Sequence, residues 1–163
     1  MRNELITTYG YKKIVDEFKQ LLEVEKPHWV KEKEIAAQHG DRSENAEYIS
    51  AKEMIRNIDK RLRFLDKIIN HSDVVDVDNI PHKKVNFGSC VKVLDLTTDE
   101  EKIFIIVGTH ETNPNENKIS NKSPLGRVLL GKEVGEELEF TINDHIHEYE
   151  ILEVKKYDFK AEV

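Results

Sequence analysis

Two apolar stripes with helical spacing, separated by a short polar turn, constrain the fold of this chain more than any other feature. The first stripe steps by three, four and three residues and is extended by two more apolar positions: Tyr11, Ile14, Phe18, Leu21, with Leu22 and Val24. The second steps by three, four, three and four residues: Ile55, Ile58, Leu62, Leu65, Ile69. Such steps are typical of helices with one buried face. Because neither helix can bury its stripe alone, we expect them to pack as an antiparallel hairpin.

Residues that cap or interrupt helices set the expected limits of the two arms. Thr7 and Thr8 are candidate N-caps of the first helix. Pro27 is expected to kink or restart it, because proline lacks an amide hydrogen and crowds the preceding turn. Gly40 suits the end of this arm, and the second helix is expected over residues 43–71. At about 1.5 Å per residue, each arm would span roughly 40 Å.

Beyond Pro81 the helical periodicity gives way to short runs of β-type residues separated by turns. Strands are expected at Val85–Val93, Lys102–Val107, Glu137–Ile142 and Glu148–Val154. One helix is expected among them, because Ser123 can cap it, Pro124 suits its first position and Gly131 can end it.

The fold class predicted from these patterns is α+β. An N-terminal antiparallel coiled-coil hairpin over residues 1–76 would be followed by a small, mainly antiparallel β-sheet domain with one helix over residues 77–163.

Composition excludes several classes of protein. No apolar run approaches the roughly 18 residues of a membrane span, and the first residues lack the apolar core of a signal peptide, so we expect a cytoplasmic protein without a membrane partner. The net charge of −7 argues against a general binder of duplex DNA. The single cysteine, Cys90, excludes an internal disulfide framework. The seven histidines show no metal-ligand spacing.

The turn between the arms carries two carboxylates, Asp41 and Glu44, where the second helix is expected to begin. One interpretation is a capping box, in which each residue satisfies an amide at the helix start. The segment is more specific than a cap requires, since the run continues in a fixed order: Gly40-Asp41-Arg42-Ser43-Glu44-Asn45-Ala46-Glu47-Tyr48.

This run resembles the tip motif of the bacterial Gre transcript-cleavage factors, the GreA/GreB family. The likeness continues over nearly the whole chain, at Thr7 to Gly10, Pro27, Ala51-Lys52-Glu53, Ile58-Asp59-Lys60-Arg61, Phe87-Gly88-Ser89, Ile106-Val107-Gly108, Ile119-Ser120, Ser123-Pro124 and Val134-Gly135. The resemblance implies an FKBP-like second domain that docks on the polymerase. It also implies an accessory factor that inserts its hairpin through the secondary channel of bacterial RNA polymerase and stimulates that enzyme's own cleavage of backtracked RNA.

The same resemblance assigns roles to the residues of the turn. Asp41 and Glu44 would help to hold a second Mg²⁺ ion, shared with the polymerase active centre beside the 3′ end of the nascent RNA and not bound tightly by the free protein. Ser43, Asn45 and Tyr48 would support the turn. Capping remains a simultaneous role for the two carboxylates.

Basic residues follow the second helix at steps of four, four, three and four, about opposite its apolar stripe: Lys52, Arg56, Lys60, Arg63, Lys67. This basic stripe is either an ordinary solvated helix face or a track for RNA phosphates and the channel wall. The resemblance favours the second interpretation and adds Arg42. Ser123 and Pro124 have two interpretations as well, polymerase docking or simple helix capping and packing.

Two alternative functions stay open at this point. A Gre-like protein could occupy the channel without promoting cleavage. The fold expected for the second domain also allows a prolyl isomerase or chaperone, although fold alone does not establish that activity. The residues lean both ways between the GreA and GreB types.

Overall fold

The computed structural model describes residues 3–40 and 45–162. Their contacts form two compact units, one over Tyr11–His71 and one that joins the start of the chain, up to Gly10, with the part from Ser72 onward. We expected the start of the chain to belong with the hairpin, in a domain ending at residue 76. The start of the chain belongs to the second unit instead, because β1 (Glu4–Thr7) pairs in parallel with β2 (Ser72–Val75).

The first arm is interrupted near Pro27, as expected. It consists of α1 (Thr8–Gln20), a π-helical turn (Leu21–Glu25) and α2 (Lys26–Ala37). The proline lies in the first turn of α2, and the π-helical turn just before it, closed by the Lys26 amide bonding to the Leu21 carbonyl, accommodates the missing amide hydrogen. Leu22 and Val24 are 44% and 54% exposed, so their expected place in the apolar stripe is wrong. The wider turn changes the helical phase and leaves both side chains in solvent.

The second arm is a single helix, α3 (Ala46–Asn70). Its buried residues include three of the five positions of the predicted stripe, Ile58, Leu62 and Leu65, together with Ala51 and Ile68. The first predicted position, Ile55, is only half-buried, and at the last position Ile68 is buried whereas the predicted Ile69 is half-buried. A step of three residues falls about 60° short of a full turn, so the buried face turns around the helix near its end.

Ion pairs between the arms supplement the apolar contacts of the hairpin. Arg61 binds the Glu17 carboxylate through two nitrogen–oxygen contacts of 2.6 and 2.9 Å. The hydrogen bond from Arg61 holds the pKa of Glu17 below its usual range. Lys26 and Asp59 form a second pair at 2.7 Å. Because these groups are partly exposed, each pair contributes only about 0.2–1 kcal/mol.

The second unit contains a five-stranded sheet in the order β5-β4-β3-β7-β6. Its strands are β3 (Ser89–Asp95), β4 (Glu101–Val107), β5 (Lys118–Ser120), β6 (Glu137–Ile142) and β7 (His145–Lys156). All neighbours are antiparallel except β4 and β5, which are parallel. The described chain therefore confirms the α+β class and the mainly antiparallel sheet.

The predicted helix of this unit is α4 (Pro124–Leu129). The Ser123 hydroxyl accepts a hydrogen bond from the Gly126 amide at 3.0 Å, which confirms the expected cap. Leu125 and Leu129 enter the core of the unit, where they join side chains from all of the longer strands. Gly131, at φ +86°, ends this part of the chain in the left-handed conformation that glycine tolerates.

Candidate functional site

Asp41, Arg42, Ser43 and Glu44 lie outside the described residues, and two helix ends flank them. On one side α2 ends at Ala37, and Gly40 follows with a φ of +125°. On the other side α3 begins at Ala46. The described residues therefore define the frame that carries the acidic turn.

Asn45 is the N-cap of α3. Its backbone is extended, and its side-chain oxygen Oδ1 accepts a hydrogen bond from the Tyr48 amide at 3.1 Å. The helix begins at Ala46, three residues later than expected, and Asn45 satisfies the exposed amide. The capping box expected from Asp41 with Glu44 lies outside the described residues.

The same side chain also contacts the opposite arm. Its Nδ2 amide donates a hydrogen bond of 2.6 Å to the backbone carbonyl of Ala36. That carbonyl also accepts from the His39 amide at 3.1 Å. One asparagine therefore joins the last turn of α2 to the first turn of α3, across the segment that contains the two carboxylates.

Small buried residues bring the arms close together at this end of the hairpin. Ala36 and Ala51 are each 2% exposed, one on each arm. Tyr48 is half-buried and lines an open cavity of about 760 Å³ on the surface of α3, together with Lys52 and Arg56. The predicted supporting role of Tyr48 stays a prediction, with its position one turn into α3 now defined.

The basic stripe is fully on the surface of α3. Lys52, Arg56, Lys60, Arg63 and Lys67 are all exposed. Within the described chain, the cross-arm ion pairs use Lys26 and Arg61 instead. Arg56 meets Glu53 at 3.4 Å, but these side chains are 79% and 54% exposed, so the contact neutralises little charge. The stripe thus keeps a positive surface along this arm.

Ser123 and Pro124 occupy the loop that leads into α4. Besides capping the helix, the Ser123 hydroxyl donates a hydrogen bond to the Ser120 carbonyl at 2.7 Å, so its hydrogen-bonding capacity serves the fold. Pro124 is exposed at the first position of the helix. The two interpretations made from sequence, capping and docking, therefore separate: the structure confirms capping by Ser123, while docking stays a prediction.

A clamp that the sequence did not predict holds this loop to β1. Glu4 accepts hydrogen bonds from Lys122 Nζ at 2.8 Å and from the Thr109 hydroxyl at 3.1 Å. The hydrogen bond from Lys122 is the main cause that lowers the pKa of Glu4. Glu4 is more than a hundred positions from each of its two partners in sequence, and no local pattern indicates their meeting.

The possible metal ligands do not cluster in the part of the chain that the structure describes. Among residues 3–40 and 45–162, no group of three or more His, Cys, Asp or Glu side chains is arranged to hold a metal ion. In the same ranges, none of the helices is long and apolar enough to cross a membrane.

Family comparisons match both parts of the chain. Residues 4–74 match the family described as "Transcription elongation factor, N-terminal", and residues 80–156 match "Transcription elongation factor, GreA/GreB, C-term". The chain belongs to the GreA/GreB family. The first match covers the helical hairpin with β1 and most of β2, and the second covers the five-stranded sheet, so the family identity applies to most of the chain.

Individual relatives agree. Proteins named Transcription elongation factor GreA are 44% identical in Helicobacter hepaticus, over 94% of both chains, and 46% identical in Wolinella succinogenes, over 94% of this chain and 95% of that one. Among solved structures, the GreA factor homolog Gfh1 of Thermus thermophilus is 22% identical, covering 94% and 99% of the two chains, with a TM-score of 0.44. The transcription elongation factor GreA/GreB from Nitrosomonas europaea is 19% identical, covering 96% of this chain and 100% of that one, with a TM-score of 0.42. Both TM-scores are low, so these structures add nothing to the fold described above.

Proposed function

We propose that this protein is a transcription elongation factor that binds bacterial RNA polymerase through its secondary channel and stimulates cleavage of backtracked nascent RNA. Cleavage would release the displaced 3′ end and rescue arrested complexes. In this role the protein is an accessory factor, and the bond-breaking activity belongs to the polymerase.

Membership of the GreA/GreB family over both units is the observation that carries the proposal. It is supported by the place of Asp41 and Glu44, which fall in the short segment between α2 and α3. A long two-helix element with a carboxylate pair at its turn is suited to reach into a narrow channel. The sheet domain is then left to dock outside.

The donor set fits a shared Mg²⁺ site. Mg²⁺ usually takes only one or two protein carboxylates and keeps waters or phosphate oxygens at its other positions. Asp41 and Glu44 would supply those two carboxylates, and the polymerase and the RNA would supply the rest. When bound, such an ion would position and activate the attacking water in a two-metal cleavage. The contribution of this chain is to place negative charge beside the polymerase active centre.

The basic stripe is consistent with a hairpin whose acidic turn lies beside the polymerase active centre. Lys52 and Arg56 lie nearest the turn, and Lys60 and Arg63 follow farther along α3. Exposed lysine and arginine side chains bind phosphates through charge, without sequence preference. We propose that this stripe, with Arg42, guides the extruded RNA 3′ end or contacts the channel wall.

The loop that contains Ser123 and Pro124 is the proposed docking surface of the sheet domain. Two contacts fix its conformation, the Ser123–Ser120 hydrogen bond and the clamp between Lys122 and Glu4. A loop held in one conformation binds a partner with less loss of entropy. We propose that the exposed face at Pro124 contacts the polymerase near the channel entrance.

The proposal is tested by adding the purified protein to backtracked bacterial elongation complexes and measuring release of short 3′ RNA fragments. We expect release to be faster than with polymerase and Mg²⁺ alone. If the protein binds the complexes without accelerating release, the alternative of a channel-binding regulator is correct. The length of the fragments then distinguishes GreA-type from GreB-type activity.

A further inference from the structure

A groove between α2 and α3 combines an aromatic ring with two carboxylates. It is an open cavity of about 390 Å³, lined by Trp29, Glu32 and Ile35 on the first arm and by Ala46 and Glu47, among others, on the second. Residues three apart are neighbours on a helix surface, so the three side chains of α2 form a continuous wall. Because both arms contribute, the groove is a product of the hairpin and not of either helix alone.

The apolar part of this groove is open to solvent. Ile35 is 41% exposed, and Trp29, the single tryptophan of the chain, is half-buried. Among the residues that the structure describes, the one ring in contact with Trp29 is His28, at an interplanar angle of 75°, so no ring is stacked flat on the indole. Tryptophan attracts a cation over its face more strongly than tyrosine or phenylalanine does.

The carboxylates give the groove its charge. Glu32 and Glu47 are both exposed, and neither forms an ion pair within residues 3–40 and 45–162. No lysine, arginine or histidine lines the groove. The groove therefore presents uncompensated negative charge beside an indole and an aliphatic side chain.

The groove and the basic stripe lie on different sides of α3. At about 100° per residue, Ala46 and Glu47 are on average roughly 130° around the helix from the middle of the stripe. RNA phosphates are attracted to the stripe and repelled by the carboxylates, whereas the groove is complementary to a positively charged partner. A guanidinium group meets all of its features, because it stacks on aromatic faces and binds carboxylates through a planar fork of donors.

We propose that the groove binds an arginine side chain on the wall of the polymerase channel. The guanidinium lies against Trp29 and is bound by Glu32 and Glu47, and apolar atoms of the same protein segment cover Ile35. The inference rests on the proposed function, because the hairpin meets this wall only when it enters the channel. The groove then supplies a protein contact on one side of the hairpin and leaves the basic stripe on the other side to RNA phosphates.

The test measures affinity for bacterial core RNA polymerase, by competition with fluorescently labelled wild-type protein, and RNA-fragment release at saturating protein. Trp29→Leu removes the indole face but keeps an apolar side chain, and Glu32→Gln with Glu47→Gln removes both charges but keeps the shape. We expect the dissociation constant to rise about threefold for the first variant and on the order of tenfold for the second. Maximal stimulation should stay unchanged, because the groove contributes binding only.

Glu34→Gln with Asp66→Asn is the matched control. It removes the same two charges at exposed positions, one on each arm and both outside the groove, and should change the dissociation constant by less than about twofold. Equal dissociation constants for the groove and control double variants would overturn the inference, and so would wild-type affinity of Trp29→Leu.

Failure of the proposed function has a different signature. A wild-type chain that binds the polymerase without speeding fragment release would refute the cleavage function, while the comparison of affinities would still decide for or against the groove. A wild-type chain that does not bind the polymerase would refute both.

Discussion

Glu111 shows how one side chain fixes the start of the first helix. Its carboxylate accepts hydrogen bonds from the amides of Thr7 and Gly108, both at 3.0 Å, and from the Thr7 hydroxyl. The Thr7 hydroxyl oxygen in turn accepts from the Gly10 amide, which confirms the predicted cap of α1. Because the carboxylate lies so close to the backbone, a Cβ atom at Gly10 would come within 2.1 Å of its Oε1.

Gly10→Ala is therefore expected to destabilise the protein, although alanine normally favours a helix by up to about 1 kcal/mol over glycine. The new methyl group would displace Glu111 from its donors, and loss of acceptors for buried amides costs about 1–3 kcal/mol. Urea unfolding measures the change. In a Glu111→Ala background the same Gly10→Ala substitution should be neutral or stabilising, because the obstructing carboxylate is gone. An equal loss of stability in both backgrounds would contradict this explanation.

Tyr9 and Asp78 give a residue-scale prediction for pH. The Tyr9 hydroxyl donates to the Asp78 carboxylate, and this bond is the main cause that raises the pKa of Tyr9 to about 12 and lowers the pKa of Asp78. The lowered pKa of Asp78 gives stability that is present above about pH 4 and is lost as the pH falls. The raised pKa of Tyr9 gives stability that is present below about pH 10 and is lost as the pH rises towards 12.

We therefore expect Tyr9→Phe to be less stable than the wild type at neutral pH, with a difference that narrows below about pH 4. Denaturant unfolding at several pH values measures it. Tyr11→Phe, which removes a hydroxyl two residues along the chain, serves as the control and should show no such dependence. A Tyr9→Phe difference that persists unchanged in acid would mean that the bond to Asp78 is not its source.

The side-chain hydrogen bonds of single residues were harder to predict from the sequence than the helices and strands. Ser123 and Thr7 were identified as caps because capping is local, and their partners lie three residues away. The double role of Asn45 was not, since its second partner is on the other arm, and the carboxylates of the turn offered a competing cap. Glu4 and Lys122 meet only because β1 joins the sheet domain, which no periodicity indicates.

Among the elements, the second arm of the hairpin was predicted best. A buried helix face repeats every three or four residues, and three buried residues of α3 were identified from that repeat: Ile58, Leu62 and Leu65. The short strands β1 and β5 were missed, because four and three residues are too few to show alternation. The prediction for Leu22 and Val24 was wrong because the π-helical turn next to Pro27 changes the helical phase and leaves both side chains exposed.

The end of the α3 stripe gives an element-scale prediction. Ile68 is 5% exposed, whereas Ile69 is half-buried. Ile68→Ala should therefore lower the free energy of unfolding by about 2–4 kcal/mol, and Ile69→Ala by less than half of that. Thermal or urea unfolding of the two variants provides a matched comparison, since the same atoms are removed from adjacent residues. A larger loss for Ile69→Ala would restore the stripe that the sequence predicted.

At the scale of the whole molecule, the two units suit separate tasks. The hairpin unit carries the acidic turn and the basic stripe, and the sheet unit carries the loop at Ser123 and Pro124. The proposed metal ligands, Asp41 and Glu44, lie outside the described residues, and the proposed function makes them part of a site that the polymerase completes. On this account the carboxylates of the turn acquire their activity only beside the active centre of another enzyme.

The most direct test of that claim replaces the two carboxylates by their isosteric amides, Asp41→Asn with Glu44→Gln, and measures RNA-fragment release from backtracked complexes as a function of protein concentration. We expect the maximal stimulation to disappear, because neutral amides bind Mg²⁺ poorly, while the double variant still competes with the wild type for the polymerase. Full stimulation by the double variant would show that the turn acts without its charges and would refute the proposed role of the two carboxylates.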